Sequence, residues 1–373
     1  MNDGCPSLCR ACDHRHLTPE ESERQKTRWL LGQLEPWADR IASLRGATDE
    51  ERLFYRDRVR LHGGIIDGQW RFGMIVRDEL VPLESCPVQS RRVARTLAAL
   101  TEGLPANRAL AFAFYVQSGA QATLVAKTAT MTDRSWISAL GKLLEETGLE
   151  GLWLHLNPSA GRRLFAKRGW ELLWGIPRSR DGQGLLYGPT AFQQLLPRLH
   201  HLSLDEAETF LDPGPGDAVA DLYCGNGAGL ARWRRRGATA CGVELGGEAL
   251  ENAAVNAPGT LLLRGTCEER IPQLETFFSP HDETRRLAYV NPPRTGLGDT
   301  VTAWLLSARP RRIAYLSCSA GTLRRDLNRL EEAYDVASIS PYDFFPRTRH
   351  VETLVLLSLR GTDPEEVSHA RNA

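Results

Sequence analysis

No run of about 18 or more apolar residues occurs in the 373-residue chain, so no segment reads as a transmembrane helix. The first residues, Met1-Asn2-Asp3-Gly4-Cys5, hold neither a basic stretch nor an apolar core, which excludes a secretory signal and leads to the expectation of a cytoplasmic protein with no membrane partner. Net charge is missing too. The 46 Lys plus Arg balance 46 Asp plus Glu, so composition alone does not call for nucleic acid. Internal repeats and low-complexity tracts are absent. Disulfides are not expected of the eight cysteines in a reducing compartment.

What is present is enough chain for two domains with cores of their own. Charge is clustered despite its balance. Arg234-Arg235-Arg236, Arg309 with Arg311-Arg312, Arg324-Arg325 and Arg347 with Arg349 fall in the second half. Each reads as a solvated helix face, or together they read as a basic face for phosphates. The patterning divides the chain into residues 1–185, residues 186–361 and a polar, flexible tail, 362–373. In the first part, 91–101 reads as an amphipathic helix, 110–116 and 122–126 as strands, 135–147 as a helix, 151–156 as a strand and 178–184 as a turn. In the second, a helix over 203–211 precedes the strand 218–222, a glycine-rich turn, a helix through 235 and a strand 239–243. That is a βαβ unit of a parallel sheet. Later strands read at 287–290, 312–316 and 353–358.

The glycine-rich turn, Asp221-Leu-Tyr223-Cys-Gly225-Asn-Gly227-Ala-Gly229, sits where a strand passes into a helix. Glycines there let backbone approach a ligand, and the helix start offers free amides. Glu244 ends the next strand, about 20 residues on, where a carboxylate can accept hydrogen bonds from both ribose hydroxyls. This spacing suits a nucleoside-bearing cofactor on a doubly wound sheet. A nicotinamide cofactor fits it, and Asp221 together with Glu244 tilts the reading to S-adenosylmethionine.

Three later strand ends carry unusual residues. They are Asn291-Pro-Pro-Arg294-Thr-Gly296, Ser317-Cys318-Ser-Ala-Gly-Thr322, and 342–352, which includes Phe345-Pro-Arg-Thr-Arg-His350-Val-Glu352. In an open α/β sheet the carboxyl ends of strands form the ligand crevice, so these segments are expected to converge there. In order and spacing they resemble the RNA uracil-5-methyltransferase family, whose motifs read Asp-Leu-Tyr-Cys-Gly, Asp-Pro-Pro-Arg-x-Gly, Ser-Cys-Asn-Pro-x-Thr and Phe-Pro-x-Thr-x-His-Val-Glu. Thr190-Ala-Phe-Gln193 looks like that family's Ser-Phe-Phe-Gln segment. The resemblance covers roughly residues 5 to 358. It implies a doubly wound, Rossmann-like methyltransferase domain preceded by an α/β RNA-binding domain. It implies Cys318 as nucleophile toward carbon 6 of uracil and Glu352 as the base that removes the carbon-5 proton. Gln193, Asp221, Tyr223, Gly225, Gly227, Glu244 and Asn291 would form the cofactor site. Gln193, Asn291, Arg294 and His350 would bind the target nucleotide. The partner is then RNA, expected to be 23S rRNA with tRNA as the alternative, and the protein is expected to act as a monomer.

Two departures from the family pattern bear on the site. Asn291 stands where the family usually has Asp; an amide can accept the uracil N3 proton and donate to O4, but after a flip it also matches cytosine. Arg294 occupies the place where RNA cytosine-5 enzymes carry a second cysteine, which favours uracil. Arg264-Gly265-Thr266 lacks the acidic residue that many methyltransferases place near the adenine. At the N-terminus, Cys5-x3-Cys9-x2-Cys12 is three-quarters of a metal site, with Cys86 in Glu84-Ser-Cys-Pro87 the natural fourth ligand. Some members of the family hold a [4Fe–4S] cluster on such a set, and the same arrangement is implied here, although the first gap is shorter. Zinc on three cysteines plus His14 or His16 is the alternative. The chain begins at this lead, and a small N-terminal β-barrel RNA-binding domain carried by many relatives is expected to be lacking. RNA contact is then expected from the middle region and the arginine clusters.

Overall fold

The computed structural model describes residues 4–361, and the 362–373 tail lies outside the described residues. The chain divides into two compact units, residues 1–16 with 48–195, and residues 17–47 with 196–373. The sequence-based boundary at 185/186 thus falls ten residues early. It also overlooks that 17–47 belongs with the second unit. That segment opens with helix α1 (Pro19–Gln33), whose start is locally encoded: Thr18 and Glu21 form a reciprocal capping box and Pro19 holds the first helical position.

The first unit is built on a seven-stranded sheet of β1 (Arg58–Ile66), β2 (Gln69–Val76), β3 (Glu79–Pro82), β4 (Phe112–Ser118), β5 (Gln121–Ala126), β6 (Gly151–Leu156) and β7 (Trp170–Gly175). The order is β3-β2-β1-β4-β5-β6-β7, antiparallel except for the β5–β6 pair. Helices α2 (Arg91–Gly103) and α3 (Ile137–Leu144) cover one face. Val93, Leu97 and Leu100 at helical spacing, with Leu140 and Leu144, pack there on Leu61, Phe72, Tyr115, Leu124 and Leu154. A register shift between Phe112 and Phe114 turns Phe114 to the opposite face. There it packs with Val116, Val125 and Ala160. A two-residue pair, β8 (Ser179–Arg180) with β9 (Leu186–Tyr187), flanks the turn expected at 178–184.

The second unit carries α4 (Pro197–Leu211), β10 (Ala218–Leu222), α5 (Ala228–Arg235), β11 (Thr239–Glu244), α6 (Gly247–Asn256), β12 (Leu261–Arg264), α7 (Cys267–Phe278), β13 (Arg286–Val290), α8 (Asp299–Ala308), β14 (Arg312–Ser317), α9 (Ala320–Leu330), β15 (Tyr334–Tyr342) and β16 (Glu352–Leu359). The sheet order is β12-β11-β10-β13-β14-β16-β15. The first five are parallel and β16 runs antiparallel between β14 and β15. The strand order reverses at β10, the position where open α/β sheets form a ligand crevice. β10 is buried at every residue, as a central parallel strand covered on both faces must be. The doubly wound architecture read from the sequence is therefore present.

Residues 17–47 are integral to this unit. Leu30, Leu34 and Trp37 enter its core beside Leu323, Leu327 and Leu330 of α9. Trp37 Nε1 donates to Glu331 at 2.7 Å. Ile41 and Arg45 bridge to Ile339 and Tyr342, extending the sheet beyond β15. Lys26 is fully buried and donates to Asp343 at 2.5 Å and to the Phe345 carbonyl at 3.2 Å. No described helix is long and apolar enough to cross a membrane.

Candidate active site

The turn after β10 is shaped by three left-handed residues, Tyr223 (φ 63°), Gly225 (φ 55°) and Gly227 (φ 84°), the last of which begins α5. A Cβ on Gly225 would project into open space, whereas one on Gly229 would come within 2.4 Å of an Asp221 carboxylate oxygen. Gly229 thus lets α5 lie close on the strand, and Gly225 leaves room for a ligand. Asp221 is buried and accepts a hydrogen bond from Trp233 Nε1 at 2.9 Å. Burial, and next to it the charge of Glu244, push its carboxyl up to about 7. Glu244, at the end of β11, accepts from the amides of Gly225 (3.2 Å) and Gly246 (2.7 Å). An open cradle at a helix start with a carboxylate across it fits a nucleoside-bearing cofactor. Asp221, Tyr223, Gly225, Gly227 and Glu244 all lie on this turn or its neighbouring strand end.

Two strands from β10, about 10 Å at ordinary strand spacing, β14 ends at Ser317. The antiparallel register pairs Ser317 with Thr353, so the residues one step beyond, Cys318 and Glu352, stand across from each other at the sheet's edge. Cys318 is half-buried. Burial, then the charge of Glu352, push its thiol up to about 11, while Arg294 opposes both. Glu352 is 4% exposed, and burial raises its carboxyl to about 7 against the pull of Arg294. Arg294 therefore acts electrostatically on both groups. Asn291 follows β13, is half-buried, and its backbone N–H donates to the Leu222 carbonyl at 3.2 Å, beside the glycine turn.

Several residues that hold these loops were not singled out by sequence reasoning. Thr322 Oγ1 donates to the Arg294 carbonyl at 3.2 Å. Arg325 Nη2 reaches the Thr295 and Leu297 carbonyls, both at 2.9 Å. Asp326, fully buried on α9, accepts from the Leu297 amide (2.8 Å) and from the Tyr315 hydroxyl (2.9 Å). The helix that starts just after Cys318 thus clamps the loop that carries Arg294. Thr322 belongs to a motif that was recognised, but no local pattern marks Asp326 or Tyr315 as its partners. His350 sits two residues before Glu352, with its ring edge-on to Phe345 at 6.0 Å.

Gln193 belongs to the first unit, where its side-chain oxygen lies over the Gly119 turn. In that unit, too, Cys9 is buried in the core with Cys5 and Cys86 packed against it. Burial raises the Cys86 thiol, and Cys9 and Cys5 add to the rise, so three sulfurs lie within electrostatic reach of one another. Arg15 donates to the Cys9 carbonyl at 2.6 Å and reaches the Cys5 sulfur at 3.7 Å. Among the described residues no group of three or more His, Cys, Asp or Glu is arranged to hold a metal ion. Of the cysteines expected to hold a [4Fe–4S] cluster or zinc, Cys5, Cys9, Cys12 and Cys86, the fold gathers Cys5, Cys9 and Cys86. The lead is tied down by Arg15 and by the Ser85 hydroxyl on the Gly4 carbonyl. The arginine clusters also differ from expectation. Arg236 pairs with Asp212, Arg309 with Glu283, Arg311 with Asp217 and Arg325 with Asp326, so much of that charge is used within the unit.

A family model, tRNA (Uracil-5-)-methyltransferase, matches residues 282–360. An uncharacterized RNA methyltransferase of Clostridium tetani is 26% identical, covering 95% of this chain and 81% of that protein. One from Thermosynechococcus vestitus is 28% identical, covering 82% and 71%. Among solved structures, the Pyrococcus abyssi tRNA (uracil-54, C5)-methyltransferase in complex with S-adenosyl-L-homocysteine superposes with a TM-score of 0.68 at 18% identity, covering 94% of this chain and 86% of that one, a likeness of fold. The matched stretch holds the β13, β14 and β16 strand ends where Asn291, Cys318 and Glu352 stand, and relatives at this level span nearly the whole chain. The family model and the RNA methyltransferase relatives together support the RNA uracil-5-methyltransferase family, S-adenosylmethionine-dependent enzymes, for this chain.

Proposed function

We propose that this protein transfers a methyl group to carbon 5 of a uridine in RNA, with 23S rRNA as the substrate and Cys318 and Glu352 as the reacting pair. The observation that carries the reading is the Ser317–Thr353 register, which sets a thiol and a buried carboxylate face to face two strands from the glycine-rich cradle. Carbon 5 of uracil is a weak nucleophile. Addition of the Cys318 sulfur, as the thiolate once its proton has gone to solvent, to carbon 6 moves the ring's electron pair onto the O4 enolate, and carbon 5 then attacks an electrophilic carbon. Bound S-adenosylmethionine supplies that carbon as a methyl sulfonium. Glu352 then takes the carbon-5 proton, the ring double bond re-forms, and the sulfur departs from carbon 6.

The electrostatics suit these roles. A carboxyl near 7 is a base matched to neutral pH. A thiol near 11 is largely protonated at rest even with Arg294 beside it, so it must lose its proton before it adds to the ring. Asn291 faces the ring edge, and Gln193, Arg294 and His350 hold the flipped-out nucleotide. Asp221, Tyr223, Gly225, Gly227 and Glu244 bind the cofactor. The cysteine lead is read as a [4Fe–4S] site on Cys5, Cys9, Cys12 and Cys86. Its support is donor chemistry alone, four cysteines in no disulfide, of which three are gathered, and no step of the reaction runs through it.

The test of the reaction is covalent trapping. RNA containing 5-fluorouridine has no removable proton at carbon 5, so wild-type protein with S-adenosylmethionine is expected to form a denaturation-resistant protein–RNA adduct through residue 318. Absence of an adduct would overturn the covalent route. Mass spectrometry of rRNA and tRNA from cells lacking the protein decides the substrate: loss of 5-methyluridine from tRNA alone replaces the rRNA assignment by tRNA.

A further inference from the structure

Several arginines of the second unit are ion-paired, whereas a cluster of positive charge with no acidic neighbour in its own segment lies in the first unit. Between β6 and β7, residues 157–169 contain Arg162, Arg163, Lys167 and Arg168 and no acidic residue. All four side chains are exposed, and none of them is ion-paired among the described residues. Four like charges within seven residues repel one another, a cost that an anionic partner removes. The loop is nevertheless held in place. Asn157 donates to the carbonyls of Arg163 (2.7 Å) and Leu164 (3.2 Å), and the Ala166 amide donates to His155 Nε2 at 2.9 Å. Ala160, Leu164 and Phe165 pack on Phe114, Val116 and Val125, the sheet face opposite α2 and α3. Arg60 of β1 pairs with Val116 in register and is exposed on that same face, its guanidinium 5.9 Å from the Phe114 ring.

We propose that this face, formed by the 157–169 loop and Arg60, binds the sugar–phosphate backbone of single-stranded stretches of the RNA substrate. The proposal rests on the RNA methyltransferase reading for the identity of its anion. The geometry adds where the phosphates are held. A rigid frame carrying two adjacent basic pairs, Arg162-Arg163 and Lys167-Arg168, meets successive backbone phosphates without reading base edges, so it supplies affinity and register with little sequence choice. Its apolar side is already consumed by packing on the sheet, which leaves charge as the exposed chemistry.

The test uses the full-length protein with Arg162, Arg163, Lys167 and Arg168 all replaced by Gln. The positions are exposed, and an unchanged melting temperature confirms that the fold is kept. Binding of a fluorescein-labelled, mixed-sequence single-stranded RNA is followed by anisotropy from low to moderate salt. The expected result is at least a 10-fold weaker affinity and a salt slope shallower by about 2 to 3, as loss of three or four phosphate contacts requires. In methylation of total cellular RNA, KM is expected to rise while kcat at saturation stays within about 2-fold. Unchanged affinity and slope in the variant overturn the surface assignment. So does a defect confined to anionic vesicles or to a phosphopeptide. Failure of the wild type to methylate any uridine in total RNA instead sinks the methyltransferase reading, and the binding measurement still decides the surface by itself.

Discussion

At Cys318 and Glu352 two functional groups share one small space, where burial raises both and the charge of Glu352 makes the Cys318 thiol harder still to ionise. Replacing Cys318 by Ala is expected to abolish both the 5-fluorouridine adduct and methylated product, read by gel shift and by tritium transfer. Glu352→Gln keeps the nucleophile and the methyl transfer but removes the base, so adduct with ordinary uridine RNA should accumulate; a variant that forms none would strip Glu352 of its role. Because the Glu352 carboxyl sits near 7, release of the adduct should quicken as pH rises through about 7 in single-turnover quench experiments. Stability should run the other way. A carboxyl raised in the fold binds more protons native than unfolded between pH 4.5 and about 7, so native stability falls as pH rises through that window. Glu352→Gln should therefore raise the melting temperature at pH 8, by an amount equivalent to ~1–3 kcal/mol, and have little effect near pH 4.

At the scale of elements, the site depends on the coupling of α9 to the loop after β13. The Asp326 carboxylate ties the Leu297 amide to the Tyr315 hydroxyl, and a side chain on Gly296 would collide with it, its Cβ 2.4 Å from the same oxygen. Asp326→Asn should destabilise the unit by about 1–3 kcal/mol in urea titration. It should also lower kcat through the Arg294 loop it supports, with cofactor affinity little changed in calorimetry. How far such elements were legible in sequence varies for physical reasons. The βαβ core, β10 with α5 and β11, follows from apolar strands punctuated by glycine, and it was read nearly to the residue. α3 was read too long: the apolar period runs on to Thr147, but the helix ends at Leu144 and a turn packs the rest. β1 to β3 went unread because Gly63-Gly64 interrupts the alternation of β1 and because β2 and β3 pair only as a tertiary meander. Of the site, the residues inside the motifs were legible, whereas Tyr315 and Asp326 emerge only from packing, which no local pattern encodes. The cysteine spacing conveyed ligand types but not whether the sulfurs turn toward one point.

For the whole molecule, the second unit is assembled from two stretches of chain separated by the first. Lys26 and Asp343, both fully buried, join those stretches. Lys26→Met leaves a buried carboxylate without this cation and should cost about 3–5 kcal/mol by denaturant unfolding. A protein lacking residues 17–47 should fail to give a cooperative unfolding transition for the second unit, because Leu30, Leu34 and Trp37 leave its core; retention of a sharp transition would show that the segment is dispensable. The backbone passes between the units three times, at 16/17, 47/48 and 195/196. This arrangement has a consequence for birth on the ribosome. α1 emerges early, yet its partners on α9 and beyond β15 are made some 300 residues later, after the intervening unit is complete. The nascent chain must therefore keep Lys26 and Leu30 of this helix without their core partners while a whole neighbour folds. The catalytic half matures last, closing only when the final strands have left the exit tunnel.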